Sequence, residues 1–183
     1  MAKPYVMRLA KRADLDTVMA LLDARIHWLR ARGSDQWSTG GTFRNRLTNN
    51  IERGETWLLE DNGEAIATIT LGTEGDSDFW TPDELRERAI YVGKMASKIE
   101  RQGEGLGALM IRWTQDRAAK SDLYIVRWDA WRTNAQLQDY YRSIGAQYVR
   151  TVDVADRWSG ALFEVPAKAD DTLADHLVTT VEA

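Results

Sequence analysis

The chain has 183 residues, with 24 Lys and Arg against 28 Asp and Glu, and a formal net charge of -4. This length suits one domain with one hydrophobic core, and the lack of a basic excess argues against a general nucleic-acid binder. Cysteine is absent and only His27 and His176 carry imidazole, so disulfides and thiolate nucleophiles are excluded and no metal site is expected.

Membrane association is not indicated either. No apolar run approaches the roughly 20 residues that cross a bilayer, and the N-terminus lacks the apolar core of a signal peptide. We therefore expect a cytoplasmic protein without membrane or nucleic-acid partners. The eight tryptophans are a high count, and such a surplus can line an apolar pocket as well as a core.

The N-terminal part begins with a strand pattern over Tyr5–Leu9. Apolar residues then recur at helical spacing and predict an amphipathic helix to about Arg32. One face of a short second helix is marked by Phe43, Leu47 and Ile51.

Three strand patterns follow. Residues 55–60 and 65–71 have strand character, and Asn62-Gly63 between them is a strong hairpin signal. From Gly72 to about Arg88 the chain is acidic and irregular, and a loop of this length in a compact domain is often functional. The third strand runs over 89–99.

The C-terminal part adds two helices and three strands. The first helix follows a glycine-rich turn at 102–107, and a strand rich in β-branched and aromatic residues runs from Leu123 to Trp131. Asn134 opens the second helix. The last two strands take in 146–153 and 160–165.

This order of elements predicts an α/β fold. No repeat, low-complexity tract or shift in composition marks a second domain. We expect one domain over 1–166 and a polar tail over 167–183 that is either loose or a short helix.

The segment Gln102-Gly103-Glu104-Gly105-Leu106-Gly107 lies between a strand and a helix. At such a place backbone N–H groups can converge on an anion, and the helix N-terminus adds about half a unit of positive charge. The spacing is not the G-x-G-x-x-G of dinucleotide-binding folds, and the Gly-Lys-Ser/Thr of a Walker loop is absent. A phosphate or pyrophosphate site is predicted, with a glycine-rich turn that binds nothing as the alternative.

This segment resembles the Gln/Arg-x-x-Gly-x-Gly/Ala signature of GNAT N-acetyltransferases. A second segment, from Asn134 through Leu137 and Tyr141 to Gly145, resembles the N-x-x-A-x-x-x-Y-x-x-x-G pattern of that family. The resemblance implies a single GNAT-like domain of the α+β type. Its central sheet would be twisted, mixed and mostly antiparallel, with about seven strands and about four flanking helices. Acetyl-CoA is implied as the cosubstrate, without a metal.

The resemblance also assigns residues to the cofactor. In the family the signature loop cradles the pyrophosphate, a role that would fall here to Gln102, Gly103, Glu104, Gly105, Leu106, Gly107 and Ala108. The preceding strand pairs with the pantetheine arm, and Met95 and Ser97 are the matching positions. Asn134 matches a residue that bonds the pantetheine region; a plain helix N-cap is the other interpretation, and the two are compatible.

Tyr141 matches the general acid of the family, which donates a proton or hydrogen bond to the departing CoA sulfur. The alternative is that its ring only packs in the core, and Tyr140 would take the role if the motif register slipped. An alkylamine is mostly protonated at pH 7, so a base or water must accept a proton. Asp129 and Glu100 are the candidates, with a water relay as the alternative.

For the acceptor, Trp37 and Trp80 lie in long loops beside acidic residues, and Trp128 precedes Asp129. We interpret these residues as an aromatic pocket with an acidic rim, which would attract a small amine or amino sugar by charge and cation–π contact. The alternative is that Trp37 and Trp80 only fasten their loops to the core.

The function implied is transfer of acetyl from acetyl-CoA to a primary amine of a small molecule, by direct attack in a ternary complex. The alternatives are acetylation of a protein N-terminus or lysine, and a non-catalytic acyl-CoA-binding regulator of the same fold. Tyr141 favours catalysis over the regulator. A binder of nucleotides or phosphosugars is disfavoured by the 134–141 segment. The resemblance also makes a homodimer through the C-terminal strands an expectation.

Overall fold

The computed structural model describes residues 4–36 and 43–180. Within them the chain forms eight strands: β1 Tyr5–Leu9, β2 Thr56–Asp61, β3 Glu64–Gly72, β4 Ala89–Ser97, β5 Ile125–Trp131, β6 Gln147–Thr151, β7 Ser159–Pro166 and β8 Leu177–Thr180. The α-helices among these residues are α1 Leu15–Arg30, α2 Phe43–Glu52, α3 Pro82–Arg86, α4 Leu106–Lys120 and α5 Ala135–Ser143. The predicted α/β fold with a mixed, mostly antiparallel sheet is confirmed.

The chain divides into two compact units. The first takes in the described residues of Met1–Leu71, Lys94–Met110 and Asp171–Ala183, and the second comprises Gly72–Gly93 and Ile111–Asp170. Both β4 and α4 contribute residues to each unit.

In the first unit the strands follow the order β3-β2-β1-β8. The helices α1 and α2 cover them with a common apolar cluster, which consists of Ala10, Val18, Leu21, Leu22, Leu47, Ile51, Leu58 and Ala96. The helical spacing of the sequence therefore marked the buried faces correctly. The predicted hairpin is also present, because Asn62 and Gly63 join β2 to β3 with φ angles of 50° and 84°.

In the second unit the strands follow the order β6-β7-β5-β4. Only β4 and β5 run parallel here, and they pair from Ala89↔Ile125 to Val92↔Trp128. The stretch expected to be irregular up to Arg88 contains the short helix α3. Thr81 and Glu84 begin that helix with a reciprocal capping box, and Pro82 occupies its first turn.

The expectation of a loose or helical tail is wrong. After a single 3-10 turn at Leu173–Asp175, the strand β8 pairs in parallel with β1, from Tyr5↔Leu177 to Arg8↔Thr180. Leu173 and Leu177 are buried, so two apolar side chains anchor an otherwise polar segment. The division into a domain over 1–166 and a tail stays a prediction.

Candidate active site

The glycine-rich turn leads directly into α4. Gly103 and Gly105 have φ angles of 92° and 73°, a region that side chains with a Cβ rarely adopt. A Cβ built on either residue would meet no protein atom within 4 Å, so the backbone faces open space. The first helical hydrogen bond runs from Leu109 N–H to the Gly105 carbonyl at 2.9 Å, which leaves the preceding amides without helical acceptors. This backbone can hold a pyrophosphate.

An ion-pair network fixes the approach to this turn. The Arg101 guanidinium donates to Glu104 at 2.6 Å and to Asp61 at 3.0 Å, and it reaches the Tyr5 hydroxyl at 3.3 Å. The hydrogen bond from Arg101 lowers the pKa of Glu104. Arg101 therefore offsets a carboxylate that would otherwise repel a phosphate bound by the turn.

Met95 and Ser97, the positions matched to the pantetheine arm, are half-buried on β4. Lys94 just before them has a φ angle of 47°, which interrupts the regular strand. The Lys94 ammonium donates to the Asn50 side-chain oxygen at 2.9 Å. Ser97 accepts a hydrogen bond at its carbonyl from Arg25, at 3.0 Å.

Asn134 is the N-cap of α5, because its side-chain oxygen accepts from the Leu137 N–H at 3.0 Å. The capping interpretation is thus correct, and it leaves open a second role toward the pantetheine. The cap fixes where α5 begins and therefore determines on which side of the helix Tyr141 lies.

Tyr141 lies in an aromatic cage. Its ring centroid is 5.2 Å from Trp128, 5.5 Å from Phe163 and 5.7 Å from Tyr140. Tyr141 is 7% exposed and Trp128 3%, whereas Tyr140 is half-buried. Among the described residues no group hydrogen-bonds to the Tyr141 hydroxyl, and the buried Trp128 Nε1–H also has no partner.

Burial raises the pKa of Tyr141, and the neighbouring Tyr140 and Asp129 add to the rise. The phenol therefore stays protonated throughout the physiological range. A protonated hydroxyl without an internal acceptor is equipped to donate to a ligand.

Asp129 follows Trp128 on β5. Desolvation raises its pKa and the charge of Asp76 adds to this, while the Ser159 hydroxyl and the Arg157 cation oppose the rise. The side chain is nonetheless exposed to solvent. Asp129 is thus partly desolvated while it keeps contact with water, which suits a group that must exchange protons with solvent.

The model of the acetyltransferase (GNAT) family matches residues 20–146. The chain belongs to this family. The uncharacterized N-acetyltransferase YesJ of Bacillus subtilis (strain 168) is 28% identical over 141 residues, which cover 74% of this chain and 78% of YesJ.

Solved structures share the fold. A GNAT-family acetyltransferase from Streptococcus agalactiae has a TM-score of 0.74 at 20% identity and covers 92% of this chain and 98% of its own. AAC(6')-Ib, solved with ribostamycin and coenzyme A, has a TM-score of 0.69 at 17% identity, with coverage of 91% and 96%. This GNAT protein is accordingly an acyltransferase with acetyl-CoA as its cosubstrate.

The tryptophans suggested for the acceptor differ in their surroundings. Trp37 lies outside the described residues. Trp80 is 3% exposed and packs with Phe79 and Leu162. The guanidinium groups of Arg127 and Arg150 lie 4.8 Å and 5.9 Å from its ring centroid, so its cation–π capacity is already used within this GNAT protein. Trp80 thus packs into the second unit, and its role toward an acceptor stays a prediction.

Two residues beside Asp129 were missed in the sequence. Ser159 is the first residue of β7 and Arg157 lies two positions before it, about thirty positions after Asp129. The antiparallel pairing of β5 with β7 brings both to Asp129. Arg157 also pairs with Asp76 at 2.6 Å and with Asp78 at 3.2 Å. The acidic rim inferred from the sequence is therefore partly neutralised by an arginine. No local motif could reveal this, because the contacts depend on strand pairing.

Among the described residues no cluster of His, Asp and Glu is arranged to hold a metal ion. Within the same ranges, no helix of this GNAT protein has the length and apolar character that a bilayer span requires.

Proposed function

We propose that this GNAT protein acetylates a primary amine of a small molecule, by direct attack of the amine on acetyl-CoA while both are bound. The observation that carries the proposal is the Tyr141 hydroxyl, which is protonated, caged by aromatic rings and without a hydrogen-bond partner among the described residues. A general acid for the leaving thiolate needs these properties.

Acetyl-CoA binding would use several groups. In the first unit the amides from Gln102 to Ala108 would bind the pyrophosphate, since Gly103 and Gly105 leave the backbone open to it. The backbone of Met95 and Ser97 would pair with the pantetheine arm. Asn134 would bond the pantetheine region, which is the role that its motif match predicts beside its role as the N-cap of α5.

The reaction forms a C–N bond and breaks the C–S bond of the thioester. The neutral amine attacks the carbonyl carbon, and the electron pair of the breaking bond goes to sulfur. Tyr141 would donate its proton to that thiolate. The amine nitrogen loses a proton, for which Asp129 is the acceptor we assign, directly or through water, because its raised pKa makes it a stronger base than an ordinary aspartate.

A small acceptor is supported by AAC(6')-Ib, which has the same fold and was solved with ribostamycin. The choice between small amines and peptides is decided by experiment. Calorimetry with acetyl-CoA, and with acetylated pantetheine that lacks the pyrophosphate, should give micromolar binding only for acetyl-CoA. Release of the CoA thiol should then follow with members of a panel of small primary amines. Turnover of peptide N-termini or lysines, without turnover of any small amine, would contradict the proposal.

A further inference from the structure

Arg25 on α1 is a half-buried cation that forms no ion pair with any residue that the structure describes. Its Nη2 donates to the Ser97 carbonyl at 3.0 Å and to the Ser97 hydroxyl at 3.3 Å. Within residues 4–36 and 43–180, no carboxylate lies within ion-pair distance of Arg25, and its Nε and Nη1 have no hydrogen-bond acceptor.

A second guanidinium shares the same aromatic ring. Arg25 lies 5.1 Å and Arg32 3.8 Å from the centroid of Trp28. Burial lowers the pKa of Arg25, and the charge of Arg32 lowers it further. Two positive groups are thus held close together on one side of α1 by a neutral ring.

Two other arginines of the first unit have their charge compensated by carboxylates. Arg8 binds Asp14 and Glu60, both at 2.7 Å, and these hydrogen bonds raise its pKa. Arg101 binds Asp61 and Glu104 in the same way. Arg25 is half-buried, and no described carboxylate pairs with it. A desolvated cation is unfavourable unless an anion compensates it.

We propose that Arg25, with Arg32 beside it, binds an oxyanion of the acceptor, so that the substrate is a small amine that also carries a carboxylate or a phosphate. This inference rests on the proposed function. The guanidinium fork suits both oxyanions. One nitrogen is already used by Ser97, which fixes the orientation, and the remaining donors are available to the ligand. A purely structural role at Ser97 would need only a neutral donor.

The test compares matched acceptors that differ only in the oxyanion. One pair is an amino acid and its amide, and the other is glucosamine 6-phosphate and glucosamine. The KM and kcat of each are measured with acetyl-CoA for the wild type, Arg25→Ala and Arg25→Gln. Glutamine can still donate to Ser97 but carries no charge. Arg30→Ala is the matched control, because Arg30 is an exposed arginine of the same helix.

In the wild type we expect a KM at least tenfold lower for the charged member of one pair, and that pair identifies the oxyanion. In both Arg25 variants the KM values of the charged and uncharged members should differ by no more than about twofold. The kcat for the uncharged member should change little. Arg30→Ala should keep the wild-type ratio. The calorimetric Kd for acetyl-CoA should stay within twofold in every variant.

Three results would overturn the inference: uncharged members preferred in both pairs, a preference that survives in Arg25→Gln, or a tenfold loss of acetyl-CoA affinity in Arg25→Gln. The last would assign Arg25 to the cofactor. In each of these cases acetylation of small amines still occurs, so the proposed function stands. If no member of either pair nor any other small amine is acetylated, the proposed function fails and this inference fails with it.

Discussion

The indole of Trp128 meets the phenol of Tyr141 edge-on, with ring centroids 5.2 Å apart and planes at 65°. Among the described residues neither Trp128 Nε1 nor the Tyr141 hydroxyl has a hydrogen-bond partner, so ring packing positions the phenol on this side. The Tyr141 hydroxyl is therefore held by the shape of its surroundings and is not committed to an internal acceptor.

Tyr141→Phe separates the chemical role of the hydroxyl from the packing of the ring. We expect kcat to fall by about 10²-fold or more, because proton donation to the thiolate is lost. The Kd for acetyl-CoA and the melting temperature should change little, since the ring contacts remain. Steady-state assays of thiol release measure the effect, with Tyr140→Phe as the neighbouring control. An equal loss in both variants would remove the assignment of Tyr141.

Gly105→Ala tests the glycine turn. The residue has a φ angle of 73°, so alanine adds about 1–2 kcal/mol of backbone strain and places a methyl group where the pyrophosphate is proposed. Calorimetry should show acetyl-CoA affinity reduced at least tenfold. Gly54→Ala is the control, because Gly54 has a φ angle of 69° and is equally open. Similar affinities in both variants would contradict the pyrophosphate assignment.

Asp129→Asn should lower the activity of the enzyme without lowering its stability. A carboxyl group whose folded pKa is raised holds its proton more tightly when folded, so it lowers the free energy of unfolding as pH rises through that pKa. The variant should thus be as stable as the wild type or more stable at pH 7, while kcat/KM falls by about 10²-fold. Thermal melts and pH–rate profiles measure both.

The wild-type rate should decline at acidic pH through a pKa above that of ordinary aspartate, and this limb should be absent in Asp129→Asn. Asp122 is an exposed carboxylate of the same unit, and Asp122→Asn should alter neither the stability nor the pH–rate profile. An unchanged profile in the Asp129 variant would point to a water relay without this residue.

Glu84→Gln should destabilise the 72–88 segment. Arg150 donates to both carboxylate oxygens, at 2.8 Å and 2.6 Å, and these bonds lower the pKa of Glu84 to about 2. The stabilisation is present above the unfolded value of 4.5 and is lost as pH falls toward 2. At pH 7 the free energy of unfolding, measured with urea, should be about 1–3 kcal/mol lower in the variant than in the wild type.

That difference should shrink between pH 4.5 and pH 2, the range over which the Glu84 pKa is shifted. Asp83→Asn on the same helix should cost little, since Asp83 and its partner Arg86 are highly exposed. A constant difference at all pH values would mean that charge is not the cause.

Local signals account for most of what the sequence predicted. The Asn62-Gly63 hairpin, the helix faces and the strand–turn–helix at 102–107 depend on neighbouring residues, and the structure contains each of them. The helix α3 was missed although its signal is equally local, because Thr81 and Glu84 form the capping box with Pro82 between them. A period-based search overlooks a helix of five residues.

Strand pairing accounts for most of what could not be predicted. Only Leu177 of β8 is buried, so its side chains carry almost no alternation, and backbone pairing with β1 decides its conformation. Arg157 approaches Asp129 because of the β5–β7 register, and Arg25 reaches Ser97 across 72 positions. The burial of Trp80 likewise depends on Arg127 and Arg150 from other strands.

The pairing of β8 with β1 also bears on self-association. In the first unit β8 is the outermost strand, and it occupies the hydrogen-bonding edge that β1 would otherwise present. A shortened chain that ends at Pro166 would uncover that edge, whose exposed N–H and C=O groups could template pairing with a second molecule. The strand β8 thus shields the edge of β1 from pairing with other chains, and it does so mainly through its backbone.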